Sequence, residues 1–142
     1  MRCLMLLVVA TAALCLPGCQ DETAGPGENC WCSMEFAQVY VTIIDAGGHL
    51  VTDARLEVTM TRTGEVLNSS RLLNSPRFGQ YAVFNDSFKD LVAPVNRFAG
   101  EEIQVRGYRK ELVLEETFRV GVTDECLCHV RKISGPDTVR VD

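Results

Sequence analysis

The chain has 142 residues, a formal net charge of −5, 46% hydrophobic residues and seven cysteines. That length supplies one hydrophobic core and not two. No basic run or basic–aromatic patch interrupts the acidic balance, which argues against a nucleic-acid partner.

Residues 1–18 read as an export signal and not as part of the fold. Arg2 gives a positive start, and "CLMLLVVATAALCL" follows as an apolar run of about 14 residues, shorter than the roughly 20 that a spanning helix needs. The run ends in "LPGC", Leu16 to Cys19, which resembles the lipobox of bacterial lipoproteins. The resemblance implies cleavage before Cys19, diacylglycerol on its sulfur and acylation of the new amino group. The partner it implies is a membrane, held through an N-terminal lipid as the only anchor. Gln20 follows directly; in enteric bacteria an aspartate at that place marks inner-membrane retention, so the resemblance leans toward the outer membrane. Residues 19–29 then run through "QDETAGPGEN", polar and rich in Gly and Pro without periodicity, which predicts a lipidated flexible tether. Residues 30–142 are left for one domain. Without Arg2, thirteen basic side chains face nineteen acidic ones.

Beyond the tether the pattern has period two. "FAQVYVTIID" (36–45) sets Ala37, Val39, Val41 and Ile43 on one face and Phe36, Gln38, Tyr40 and Thr42 on the other. "RLEVTMT" (55–61), "QYAVFND" (80–86), "EIQVRGYR" (102–109), "ELVLEETFRVGV" (111–122) and "CLCHVRKI" (126–133) are strand-like in the same way. Turn residues separate them, at "DAGGHLVTDA", "TRTGE", "SPRFG", "VTDE" and "SGPD". Pro94 and Gly100 predict a long loop over residues 86–100, with at most one helical turn. This loop is the expected recognition surface, one a short linker should replace without unfolding the domain. About seven short strands in a chain of this size predict an all-β fold, an antiparallel-rich β-sandwich.

"VTIIDAGGHLVTDARLEVTM" resembles the opening hairpin of the carboxypeptidase regulatory-like domains, which have a transthyretin-like (prealbumin-type) sandwich. Asp45 is expected to cap the turn, Gly47 and Gly48 to take positive φ there, and Ala54 to let the second strand cross close to the first. "RFGQY" (77–81), "RGYRKEL" (106–112) and "CHV" (128–130) resemble further parts of that pattern, and the likeness covers roughly residues 30–134. It implies a transthyretin-like or immunoglobulin-like sandwich but no particular role, because such sandwiches host many.

With Cys19 lipidated and Cys3 and Cys15 lost with the signal, four cysteines remain: Cys30, Cys32, Cys126 and Cys128. In an exported chain an even number is read first as disulfides. Antiparallel segments would join Cys30 to Cys128 and Cys32 to Cys126; parallel ones would join Cys30 to Cys126 and Cys32 to Cys128. The resemblance favours Cys30–Cys128 with Cys32–Cys126, because Cys128 stands at the family's C-H-V position. Trp31 is expected to pack over the bridges. The alternative is a metal-handling protein, with the four thiolates beside His129 holding zinc or copper(I). Spacings of one residue, and the opposite strand face expected for His129, argue against it.

Catalytic signatures are missing. No G-x-S-x-G, H-E-x-x-H or phosphate-binding loop occurs. The hydrolase family of the transthyretin-like fold, which acts on hydroxyisourate, depends on histidines, an arginine and a C-terminal Tyr-Arg-Gly-Ser, whereas this chain ends "DTVRVD" and has only His49 and His129. His49 is expected to be a solvated turn residue and His129 a strand-face residue, and Asp86–Asp90 and Glu101–Glu102 solvated loop acids. The sequence therefore predicts a non-enzymatic, lipid-anchored structural or binding module without a cofactor, meeting an envelope protein. A hydrolase is the more distant alternative.

Overall fold

The computed structural model describes residues 30–72, 76–123 and 126–142. The signal segment, Cys19 and the tether lie outside the described residues. Among the described residues seven strands form: β1 (Gln38–Ile44), β2 (Arg55–Met60), β3 (Gln80–Asn85), β4 (Glu101–Tyr108), β5 (Leu112–Val122), β6 (Val130–Ser134) and β7 (Thr138–Arg140). They make two sheets, ordered β3-β1-β7 and β2-β4-β5-β6. All neighbours run antiparallel except β1 and β7, which run parallel. This is the disulfide-stapled all-β sandwich that the alternation predicts. Among the described residues, no helix is long and apolar enough to cross a membrane.

The alternating faces are the physical basis of the two layers. Val39, Val41 and Ile43 of β1 and Leu56, Val58 and Met60 of β2 are buried, and their alternates are not. They meet Ile103 and Val105 of β4 and Phe118 and Val120 of β5, all fully buried between the sheets. β3 breaks the alternation. Val41 pairs with Tyr81 and Val39 with Phe84, with a bulge between. The extra residue turns Tyr81 and Phe84, three apart, onto the same inward face. Tyr81 then uses its hydroxyl to donate to Val51 O at 3.1 Å and to accept from Ala54 N at 3.1 Å. That pair of bonds ties β3 to the crossover before β2.

Three expectations need correction. The segment 41–60 is not a hairpin: β1 and β2 belong to different sheets, and residues 45–54 carry the chain from one layer to the other. Only a single bridge, Ile44 to Leu50, remains of the hairpin pairing. In that turn Asp45 does cap, accepting from His49 N at 2.9 Å, but of the two glycines only Gly48 takes positive φ. The strand expected over residues 126–133, β6, begins at Val130 and not at Cys126, because Leu127 sits at φ 52° and breaks the extended run. β7, by contrast, lies in "DTVRVD", which carries too few residues to display an alternation of its own.

Strand direction divides the sandwich into two ends. β1 and β6 start, and β3 and β5 finish, at the end where Cys30 enters, here called the tether end. Residues 86–100 and 123–129 also lie there.

Candidate functional site

The tether end is fastened by two disulfides, Cys30–Cys126 and Cys32–Cys128, each with a sequence separation of 96. The pairing is the parallel one, not Cys30–Cys128 with Cys32–Cys126. The reason is directional: both cysteine segments lead into strands, β1 and β6, that depart from the same end, so they run side by side in the same sense. Each sulfur is therefore bonded to another, and none is in the thiolate form that a zinc or copper(I) site uses. Among the described residues no group of three or more potential ligands is placed to hold a metal ion. Trp31 does not cover the bridges; it projects into solvent.

Next to the staples lies a polar cluster centred on Asp86, the residue that follows β3. Its Oδ2 accepts from Ala37 N at 2.9 Å, and its Oδ1 accepts from Val130 N at 2.8 Å. Oδ2 also lies 2.7 Å from His129 Nδ1. An ionised carboxylate only accepts, so that nitrogen carries a proton; in the neutral imidazole Nε2 is then the acceptor. Ser33 Oγ lies 3.0 Å from Nε2. Burial would raise the Asp86 carboxyl, but the bonds from His129, Ala37 and Val130 outweigh it and hold the group below the usual carboxylate range. One side chain thus ties the entry to β1 and the start of β6, which belong to opposite sheets.

The order Ser33–His129–Asp86 is that of a serine nucleophile, its base and the acid that orients the base. What surrounds it is less complete. Ser33 is exposed on the segment between the staples and β1, and none of the three residues lines the described cleft. His129 is not a solitary strand-face residue, and Asp86 is not a solvated loop acid.

Glu101 corrects the second expected loop acid. It opens β4 on the inward face, with its side chain 2% exposed. Oε1 accepts from Arg62 Nε at 2.7 Å, while Oε2 accepts from Asn96 Nδ2 at 2.8 Å and from Ala93 N at 3.3 Å. Here too burial pushes the carboxyl up, and the bonds from Asn96, Arg62 and Ala93 more than reverse it. Asp90 is exposed, and so is His49, as the sequence reading expects.

No family model, curated protein or solved structure matches this chain. The site therefore rests on its own geometry.

Between these two carboxylates runs the segment 86–100. Its Asp86–Leu91 portion is a 3-10 turn capped by Asn85, whose Oδ1 accepts from Ser87 N at 3.0 Å. Phe88 and Val92 are buried in the core, and the Arg97 carbonyl accepts from Val122 N at 3.0 Å. The expectation of a replaceable surface loop is thus wrong for its first half. The second half is the more open, and together with Lys89 and Asp90 of the first it borders a cleft of about 340 Å³ whose lining also includes Pro94, Arg97, Cys126 and Leu127.

The sequence isolates the cysteines but not Ser33, Asp86 or Asn96. "ND" at a strand end is a local capping signal and could have marked Asn85 and Asp86. Nothing local indicates that Asp86 reaches residues 49 and 43–44 positions away.

Proposed function

We propose that this chain is a lipid-anchored lipoprotein of the cell envelope whose transthyretin-like sandwich serves as a non-enzymatic binding or structural module. The observation that carries this reading is the concentration of attachments on residues 30–37. Two disulfides and the Asp86 carboxylate fix the segment that continues a ten-residue tether from Cys19. A domain held on a lipid needs a rigid exit for its tether, and it needs cross-links that persist in an oxidising compartment. The test is metabolic labelling with palmitate in an exporting bacterium. The full chain is expected in the membrane fraction with label, and Cys19→Ser is expected to lose both. A wild-type chain that stays soluble and unlabelled would sink the reading.

A second reading is supported by the Ser33–His129–Asp86 line. In it Ser33 Oγ attacks an ester carbonyl while His129 Nε2 takes its proton and returns it to the leaving alcohol; water then releases the acid by the same route. A fluorophosphonate probe distinguishes the two. Covalent labelling that disappears in Ser33→Ala would establish a nucleophile and displace the first reading. No labelling of the folded, oxidised protein is the outcome the first reading expects.

A further inference from the structure

The tether end carries a set of large apolar side chains that no part of the described fold covers. Trp31 is 93% exposed and Met34 103%, on the segment that leaves the staples; Val95 is 85% exposed and Phe98 57%, on the open half of 86–100. The two groups are neighbours. Trp31 adjoins Cys30, which is bonded to Cys126, and Cys126 shares the cleft lining with Pro94, which precedes Val95, and with Arg97, which precedes Phe98. Lys89 and Arg97 line the same cleft, and neither has an ion-pair partner among the described residues. Single exposed apolar residues are ordinary, but a cluster of four on one end of a sandwich calls for a partner.

We infer that this end seats on a lipid bilayer, with Trp31, Met34, Val95 and Phe98 entering the headgroup region and Lys89 and Arg97 meeting anionic headgroups. The inference rests on the lipid-anchor reading of Cys19. Ten residues separate Cys19 from Cys30. Ten residues reach at most roughly 33–36 Å when fully extended. The chain enters the described fold at Cys30, beside Trp31 and the staple to Cys126, so the surface nearest the membrane is this one. A short tether also keeps the bilayer at high effective concentration, so weak contacts suffice to hold the end down. The side chains suit the place: tryptophan is at home at the membrane–water boundary, and basic residues extend toward anionic headgroups with their apolar stems against the acyl chains. The net charge of the rest of the molecule is negative, which makes the contact apolar first and charge-assisted second.

Trp31 is the one tryptophan in the chain, so its emission reports its own surroundings. The test uses the full, palmitate-labelled chain reconstituted in vesicles of phosphatidylethanolamine and phosphatidylglycerol with brominated acyl chains. Blue-shifted Trp31 emission, quenched by the bromines, is the expected result. The double variant Val95→Asp, Phe98→Asp, folded by circular dichroism and equally labelled, is expected to lose most of both effects. Replacing phosphatidylglycerol with phosphatidylcholine is expected to weaken them. A labelled, vesicle-bound chain whose Trp31 emits as in water, unquenched, would overturn the docking while leaving the anchor intact, and would assign the cluster to a protein partner. A chain without palmitate would overturn anchor and docking together.

Discussion

Asp86 and Glu101 are the two residues whose chemistry departs most from what their neighbours in sequence suggest. Each is a nearly enclosed carboxylate that gathers donors from three places, and each is held ionised by those donors. An orphaned buried donor costs about 1–3 kcal/mol. Asp86→Ala, which orphans Ala37 N, Val130 N and His129, is therefore expected to lower unfolding free energy by about 3 kcal/mol, measured by urea titration of the oxidised protein. Acid should act on the same bonds. Both carboxyls titrate lower in the folded chain than in the unfolded one, so the unfolded chain binds more protons in the acid range. Their contribution is complete above the ordinary carboxylate values, about 4, and disappears as pH falls through the lowered folded values. Stability measured between neutral pH and pH 2 should drop below about pH 4, and a Glu101→Gln, Asp86→Asn double variant should start lower and show a shallower drop. Little of this was legible beforehand. The acids were visible in the sequence, but their burial follows from which strand end they occupy, and that depends on long-range pairing.

Among elements, the strands were legible and the excursions were not. Four strands, β1, β2, β4 and β5, follow from residues alternating between core and solvent, a signal written into consecutive positions. The pairing of β2 with β4, and not with β1, is written nowhere locally. The same holds for 86–100, where Pro94 and Gly100 correctly mark irregular backbone but conceal that Phe88 and Val92 belong to the core. Phe88 packs against Phe84 with ring centroids 5.9 Å apart, and Arg71 stands over its ring at 4.7 Å. Phe88→Ala should cost about 3–5 kcal/mol, the range for an aromatic truncated in a packed interior. Replacing all of 86–100 with a Gly/Ser linker should unfold the domain, whereas replacing only Val95, Arg97 and Phe98 by Gly or Ser, which keeps the bond from Asn96 to Glu101, should be tolerated. Thermal melts of the two replacements test this division. If both melt like the wild type, the segment does not belong to the core.

For the whole molecule, the two staples act on the unfolded chain as almost one constraint. Each closes a loop spanning 96 positions, and in the chain-entropy picture a loop of about 100 residues contributes up to ~4.7 kcal/mol. Once either is present, the other adds only a small ring. Removing Cys30 with Cys126, or Cys32 with Cys128, should therefore cost little, while removing all four should cost nearly the full amount. Denaturation of the three serine variants would reveal this non-additivity; equal and additive losses would contradict it. The same arrangement also governs how the fold responds to force. A strand attached at one end to a pulled thread is peeled from its neighbour one hydrogen bond at a time. Here a tug arriving at Cys30 divides immediately, part entering β1 in one sheet and part crossing the sulfurs to β6 in the other. Both strands run lengthwise away from the point of traction. The sandwich is thus drawn in shear along two strands at once, and a pull at Cys30 does not unzip its first strand.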